Sequence, residues 1–117
     1  MTEPTPISTA SAEHYVWGGS SDGWILAPGP DLLVIEEQMP PGASETRHHH
    51  GRARQFFYVL SGELTLELEG RHHTIGAATG LEIPPGARHQ AINLSSAPVR
   101  FLVISSPTTR GDRHDEA

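Results

Sequence analysis

The feature that most constrains this chain is a series of short apolar runs, each closed by glycine or proline. Short strands bounded by regular turn signals are typical of an all-β sandwich or barrel. No stretch carries a helical apolar stripe of about ten residues or more. The expected strands cover residues 24–26, 32–39, 55–60, 64–68, 71–75, 81–83, 89–94 and 99–105. The pattern therefore predicts an all-β fold.

The spacing of apolar residues separates two kinds of strand. Leu64, Leu66 and Leu68 alternate with polar residues, as in a strand with one covered face. The runs 56–60 and 101–104 are apolar on both faces, and such strands are covered on both sides. One face would fill the interior of a small barrel. The other would pack against a second subunit, so we expect a homodimer.

The length of the chain and the composition of its ends predict one folded unit. A chain of 117 residues suits a single domain. The start is rich in Pro, Ser and Thr, and the end is charged and lacks apolar residues. We therefore expect a flexible arm over residues 1–13, a β-barrel over 14–106 and a tail over 107–117.

Charge and cysteine content narrow the classes of site and partner. The formal net charge is -6, and the eight basic residues form no stripe that could follow a phosphate backbone. There is no charged-then-apolar leader and no apolar run near the length that a bilayer needs. The absence of cysteine excludes disulfides and thiolate metal sites. We expect a cytoplasmic protein with neither nucleic-acid nor membrane partners.

Histidine is concentrated in two groups, His48-His49-His50 and His72-His73. Because side chains alternate along a strand, His48 and His50 would share one face and His49 would lie on the other. Two neutral imidazoles so placed suit a first-row divalent ion. The alternative to a metal site is a surface strand in which this histidine spacing occurs by chance. We interpret the second group, His72-His73, as part of a polar edge strand. A second metal site is the alternative.

Several further residues stand at characteristic spacings before and after the first histidine group. They are Gly42, Gln55 and Gly62, followed by Pro84, Gly86, His89 and Asn93. In these positions the chain resembles the cupin superfamily, whose motifs are G-x5-H-x-H-x(3,4)-E-x6-G and G-x5-P-x-G-x2-H-x3-N. The resemblance extends over residues 42–93. It implies a single-domain double-stranded β-helix, or jelly-roll barrel, with one metal ion inside, bound by His48, His50, His89 and Gln55.

The chain departs from the motifs at two positions. Ala78 stands where the second motif begins with glycine, which is a turn variation. Gln55 stands where the first motif has glutamate, so four neutral ligands would leave a divalent ion with a charge near +2. We expect weaker metal retention and a stronger attraction for anionic ligands. Gln55 also has no usable basicity and cannot take a proton from a substrate.

Any proton transfer must then use a metal-bound water or another carboxylate. Glu45 and Glu37 are the candidates by their place in the sequence, although we favour their interpretation as solvated surface acids. Tyr15, Trp17 and Trp24 could line a pocket or a subunit contact, and packing is the interpretation we favour for them. Neither group identifies a catalytic residue from the sequence alone.

The expected function follows from the site, because one fold serves many activities. Imidazole ligands suit Zn, Fe, Ni, Cu or Mn, and the sequence does not distinguish these ions. A metal-dependent enzyme acting on a small organic molecule is the first hypothesis, of the dioxygenase, isomerase or polyketide-cyclase type. Small single-domain cupins of polyketide synthesis are similar in size and layout. A non-catalytic module that binds or senses a small ligand is the alternative, and a purely structural metal is the third.

Overall fold

The structure is a computed structural model that describes residues 3–116. Within these residues the secondary structure consists of β-strands joined by turns. The strands are β1 (Glu13–Trp17), β2 (Ser21–Pro28), β3 (Leu33–Met39), β4 (His48–His50), β5 (Arg54–Ser61), β6 (Leu64–Leu68), β7 (Arg71–Ile75), β8 (Gly80–Ile83), β9 (His89–Ile92), β10 (Val99–Ser106) and β11 (Arg113–Asp115). Over the same range, no helix has the length and apolar character of a membrane span.

The strands form two antiparallel sheets, which confirms the predicted all-β, single-domain fold of the cupin type. The first sheet has six strands in the order β1-β2-β3-β10-β5-β8. The second has five strands in the order β11-β4-β9-β6-β7. The strand β7, which carries His72 and His73, lies at a sheet edge as expected for a polar edge strand.

The core lies between the two sheets and follows the period-two alternation of the strands. In β10, Val99, Phe101 and Val103 point inward and are buried, while the residues between them are partly exposed. Facing residues from both sheets complete the core. They are Met39, Phe57, Val59, Leu64, Leu66, Ile75, Ile83 and Ala91.

The turn from β5 to β6, which carries the chain from one sheet to the other, requires glycine at position 62. Gly62 has a φ of 82°, in the left-handed region that favours glycine. A Cβ atom there would lie 2.5 Å from the carbonyl oxygen of Pro98. No other residue fits this corner without moving the backbone that precedes β10.

Apart from β4, which the histidine spacing indicated, two strands lie outside the strands expected from the sequence. They are β1, which is largely exposed, and β11, whose three residues are all exposed. β11 forms because it pairs with β4, with Arg113 opposite His50 and Asp115 opposite His48. The segment 107–117, assigned to a tail by its composition, thus contains a strand. Residues 1, 2 and 117 of the expected arm and tail lie outside the described residues.

Candidate metal centre

Three histidines meet between the sheets. His48 and His89 are register partners on β4 and β9, and His50 shares the inward face of β4 with His48. The exposed fractions of His48, His50 and His89 are 2 %, 4 % and 0 %. One ring nitrogen of each lies within 4.8 Å of those of the other two. Nitrogens at about 2.0–2.1 Å from one ion lie no more than about 4.2 Å apart, so small side-chain rotations would bring them to an ion.

Backbone carbonyls determine which nitrogen of two imidazoles remains free. The Nδ1–H of His48 donates to the carbonyl of Thr46 at 2.7 Å, and that of His89 to the carbonyl of Ala87 at 3.0 Å. A carbonyl can only accept, so Nδ1 carries the proton and Nε2 keeps its lone pair. Among the described residues, Nε2 of His89 and both ring nitrogens of His50 are buried without a partner. A neutral imidazole keeps one nitrogen with a lone pair, so His50 and His89 each offer a buried acceptor that a metal ion would satisfy.

The charge state of the imidazoles agrees with metal binding. Burial lowers the pKa of His48 to about 3, against a smaller upward effect of its bond to Thr46. Burial, together with the nearby His89, lowers the pKa of His50 to about 4. The pKa of His89 is also lowered, again mainly by burial. All three rings are therefore neutral near pH 7, the form that binds a metal. The buried cluster is compatible with a metal ion.

Gln55 lies on β5 and borders the same cavity as His48 and His50. Its side-chain amide nitrogen donates to Ser105 Oγ at 3.1 Å. This leaves Oε1 buried with no hydrogen-bond partner in residues 3–116. An unpartnered amide oxygen beside the imidazoles suits a fourth ligand, and that role stays a prediction.

A cavity of about 440 Å³ opens beside the cluster. His48 and His50 form part of its wall, while the fully buried His89 lies behind them. The facing wall comes from the six-stranded sheet and includes Tyr15, Trp17, Ile35, Glu37, Phe57 and Val103. A small molecule in this cavity would therefore touch imidazole, carboxyl and aromatic groups together.

Glu45 is one of the two carboxyls on this wall. Its Oε2 accepts the backbone N–H of Ala91 at 2.9 Å, and its Oε1 lies 3.9 Å from Nδ1 of His48. Burial, and to a smaller extent the charge of Glu37, raises the pKa of Glu45 to about 8. The interpretation of Glu45 as a solvated surface acid is wrong, because strand β9 and the cavity enclose it.

Glu37 is the second carboxyl, and its interpretation as a surface acid is wrong as well. It accepts a hydrogen bond from the hydroxyl of Tyr15 at 3.1 Å. Burial raises the pKa of Glu37 to about 7, although this bond acts in the opposite direction. The sequence did contain a signal for its position. Leu33, Ile35, Glu37 and Met39 are spaced by two residues, so an acid stands in the inward register of an otherwise apolar strand face.

Four cavity residues come from the strands that the sequence pattern missed, namely Tyr15, Trp17, Arg113 and Asp115. Arg113 pairs with Asp115 at 2.6 Å and lies 3.8 Å from Glu45. Burial and the bond to Glu37 raise the pKa of Tyr15 well above its ordinary value. Tyr15 and Trp17 line the cavity, whereas Trp24 packs under the guanidinium of Arg100 on the outer face.

Asp112 holds the turn that follows the histidine strand. Its carboxylate accepts the backbone N–H groups of Gly51, Arg52 and Ala53 at 3.0, 2.9 and 2.9 Å. These bonds lower the pKa of Asp112 below its ordinary value. Asp112, which directly precedes β11, thereby holds the backbone of the residues that follow His50. Nothing in the local sequence signals this role, because the three donors and the acceptor are about 60 residues apart along the chain.

Asn93 is fully buried and supports the backbone. Its side-chain nitrogen donates to the carbonyls of Met39 at 3.0 Å and Ala97 at 2.9 Å. This motif residue therefore ties backbone carbonyls of two separate segments together.

Residues 35–105 match the cupin domain family, Cupin_2. Over 69 residues the chain is 33 % identical to the polyketide synthase CurC of Streptomyces cyaneus, a match that spans 59 % of this chain and 45 % of that protein. The chain spans about half the length of the curated relatives it matches.

Solved structures share the fold. KdgF from Halomonas sp. superposes with a TM-score of 0.82 at 24 % identity, covering 91 % of this chain and 96 % of that one. The polyketide cyclase RemF from Streptomyces resistomycificus superposes with a TM-score of 0.79 at 22 % identity, covering 91 % of this chain and 81 % of that one.

Proposed function

The chain belongs to the cupin domain family, and we propose that it is a metal-dependent enzyme acting on a small organic molecule. The observation that carries the proposal is the position of the imidazole cluster at the wall of a 440 Å³ cavity that also contains Glu37 and Glu45. A metal that only joined strands would need neither a cavity nor buried acids beside it. Convergent polar groups in a pocket with raised carboxyl pKa values are typical of active sites.

The residues that would hold the ion are His48, His50 and His89, with Gln55 as a fourth ligand. Nitrogen and amide-oxygen ligands suit Zn, Fe, Ni, Cu or Mn. A bound divalent ion would supply Lewis acidity toward a carbonyl or hydroxyl oxygen. Since all four side chains are neutral, the ion would keep its full charge and favour ligands with anionic or strongly polarised oxygens.

The two carboxyls favour proton-transfer chemistry, and thus an isomerase or cyclase type, over oxygen insertion. General acid–base catalysis is most efficient when the pKa of the catalytic group lies near the working pH. The pKa values of Glu37 and Glu45, about 7 and about 8, meet that condition. Similarity to CurC, a polyketide synthase protein, supports a substrate with several carbonyl groups.

Metal-edge anomalous diffraction from crystals of the metal-loaded protein tests the proposal. We expect one ion per chain, bound by the three imidazoles, with at least one coordination position facing the cavity. The His49→Ala variant is the matched control, because His49 lies on the other face of β4. A closed tetrahedron of protein ligands would contradict an enzyme and favour a structural metal. A ligand recovered unchanged in every turnover assay would favour the binding or sensor module.

We also propose the homodimer expected from the sequence. On the outer face of the six-stranded sheet, Phe56 and Leu60 are 39 % and 40 % exposed. Light scattering of the purified chain measures the mass directly, and a monomer at micromolar concentration would contradict the dimer.

A further inference from the structure

We propose that Glu37 is the residue that exchanges a proton with the molecule bound in the cavity, and that Tyr15 positions it through a gap left by Gly23. This inference rests on the proposed function and adds the group that performs the proton transfer. It also defines a substrate class, carbonyl compounds with an acidic hydrogen on the neighbouring carbon.

Tyr15, Gly23 and Glu37 form a row across three adjacent strands. Tyr15 is the register partner of Gly23, and Gly23 is the register partner of Glu37. The ring of Tyr15 lies over the middle strand, so that its hydroxyl reaches Oε2 of Glu37 at 3.1 Å. A Cβ atom at position 23 would lie 2.5 Å from the tyrosine oxygen and 2.6 Å from Cε1. Any other residue at position 23 would therefore displace the ring.

The contacts of the two cavity acids assign them different tasks. Glu45 is held by the N–H of Ala91 on one oxygen and lies close to His48 and Arg113 on the other. In residues 3–116, Tyr15 is the one hydrogen-bond partner of the Glu37 carboxylate. Because Tyr15 takes Oε2, the second oxygen of Glu37 remains available to a ligand.

The surroundings of Glu37 favour reversible protonation. Its register partner on β10 is the fully buried Phe101, which gives the carboxyl an apolar neighbour. The charged groups that act on it are Glu45 and Arg113, together with the hydroxyl of Tyr15. Burial raises its pKa to about 7, so that both protonation states are populated near neutral pH.

The proton-transfer step needs no oxidant or second substrate. The C–H bond next to the carbonyl breaks, its electron pair stays on the substrate as an enolate, and the proton goes to the free oxygen of Glu37. Glu37 then returns the proton to another atom of the same molecule, which leaves an isomer. The hydroxyl of Tyr15 keeps the carboxyl in place during both transfers.

The first test needs neither metal nor substrate. The chain has two tyrosines, so a Tyr58→Phe background leaves Tyr15 as the only phenol. In the metal-free protein, carbon-13 NMR at Cζ should show Tyr15 titrating well above the ordinary phenol range. Adding Glu37→Gln or Gly23→Ala should lower that pKa. An unchanged titration in Glu37→Gln would overturn the positioning role of Tyr15.

The second test measures exchange of the α-hydrogens of hydroxyacetone in D2O by proton NMR, with fully zinc-loaded protein. Glu37→Gln should reduce kcat about 100-fold, the usual contribution of a positioned acid or base. Tyr15→Phe and Gly23→Ala should reduce kcat several-fold at unchanged KM. Formate should restore part of the activity of Glu37→Ala, which a structural role would not produce. Glu36→Gln is the matched control, because Glu36 lies on the outer face and pairs with Arg100 at 2.8 Å.

The outcomes separate this inference from the proposed function. Failure of the wild-type chain to bind zinc would refute the proposed function itself. If zinc binds equally to wild type and Glu37→Gln while their exchange rates agree, the proposed function survives and the role of Glu37 is refuted. Absence of exchange in the zinc-loaded wild type would equally refute the role of Glu37.

Discussion

His48 and His89 stand directly opposite each other on β4 and β9, with ring centroids 4.4 Å apart. Residues paired across antiparallel strands have their side chains on the same face. The sheet therefore brings the two imidazoles together before any ion binds. Carbonyls of Thr46 and Ala87 orient both rings from the same relative position, two residues before each histidine.

Removal of one imidazole should strongly weaken the proposed metal binding. We expect His89→Ala to weaken the affinity for zinc by more than about 100-fold, since the loss of a ligand should exceed the effect of losing a group that orients one. Competition with a chromophoric chelator measures the affinity. His49→Ala, which alters the residue between two ligands on the other strand face, should retain the wild-type affinity. Equal loss in both variants would indicate general destabilisation rather than ligand removal.

Replacing Gln55, the proposed fourth ligand, by glutamate should tighten metal binding. Gln55→Glu should raise zinc affinity about tenfold, because an anionic oxygen binds a divalent ion better than an amide oxygen does. The control Gln38→Glu adds the same charge on the outer face, where Gln38 accepts a hydrogen bond from Arg100. Isothermal titration gives both values. An unchanged affinity in Gln55→Glu would mean that Gln55 does not contact the ion.

The carboxylate of Asp112 should stabilise both the fold and the metal centre. Asp112→Ala leaves the N–H groups of residues 51–53 without their acceptor and releases the turn after His50. We expect the melting temperature to fall by several degrees and zinc affinity to fall several-fold. Asp31→Ala, an exposed aspartate away from the cavity, should change neither quantity. A stable variant with weakened zinc binding would limit the role of Asp112 to positioning His50.

Glu37 should make the metal-free protein less stable as the pH rises toward neutral. Its pKa is about 7 in the folded chain against an ordinary 4.5, so between these values the unfolded state has lost a proton that the folded state keeps. The stability it contributes in acid is lost across this window, by up to about 3 kcal/mol at 1.36 kcal/mol per pKa unit. Urea unfolding of wild type and Glu37→Gln should therefore diverge from pH 4.5 to 7, with the variant more stable at the upper end.

Tyr15→Phe is the control for this pH dependence. It keeps the carboxyl and removes a hydrogen bond that lowers the pKa of Glu37, so its curve should retain the dependence and extend it to higher pH. Parallel curves for wild type and Glu37→Gln would contradict the raised pKa.

Local patterns in the sequence were sufficient to predict the fold class and the buried histidine cluster. Period-two alternation and turn residues predicted most strands, and the cupin motifs identified His48, His50 and His89. The orientation of Glu37 was legible in the inward register of its strand, but its sequence neighbours Glu36 and Gln38 made an exposed acid the simpler interpretation.

The tertiary structure alone decided what surrounds that cluster. Strand alternation depends only on residues that are close in sequence, so the sequence alone reveals it. The cavity wall joins Tyr15, Glu37 and Arg113, which are distant along the chain and meet only through the pairing of β1 and β11 with other strands. Burial, and with it the raised pKa values of Glu37 and Glu45, arises from that assembly, because the desolvation of a carboxyl depends on everything packed around it.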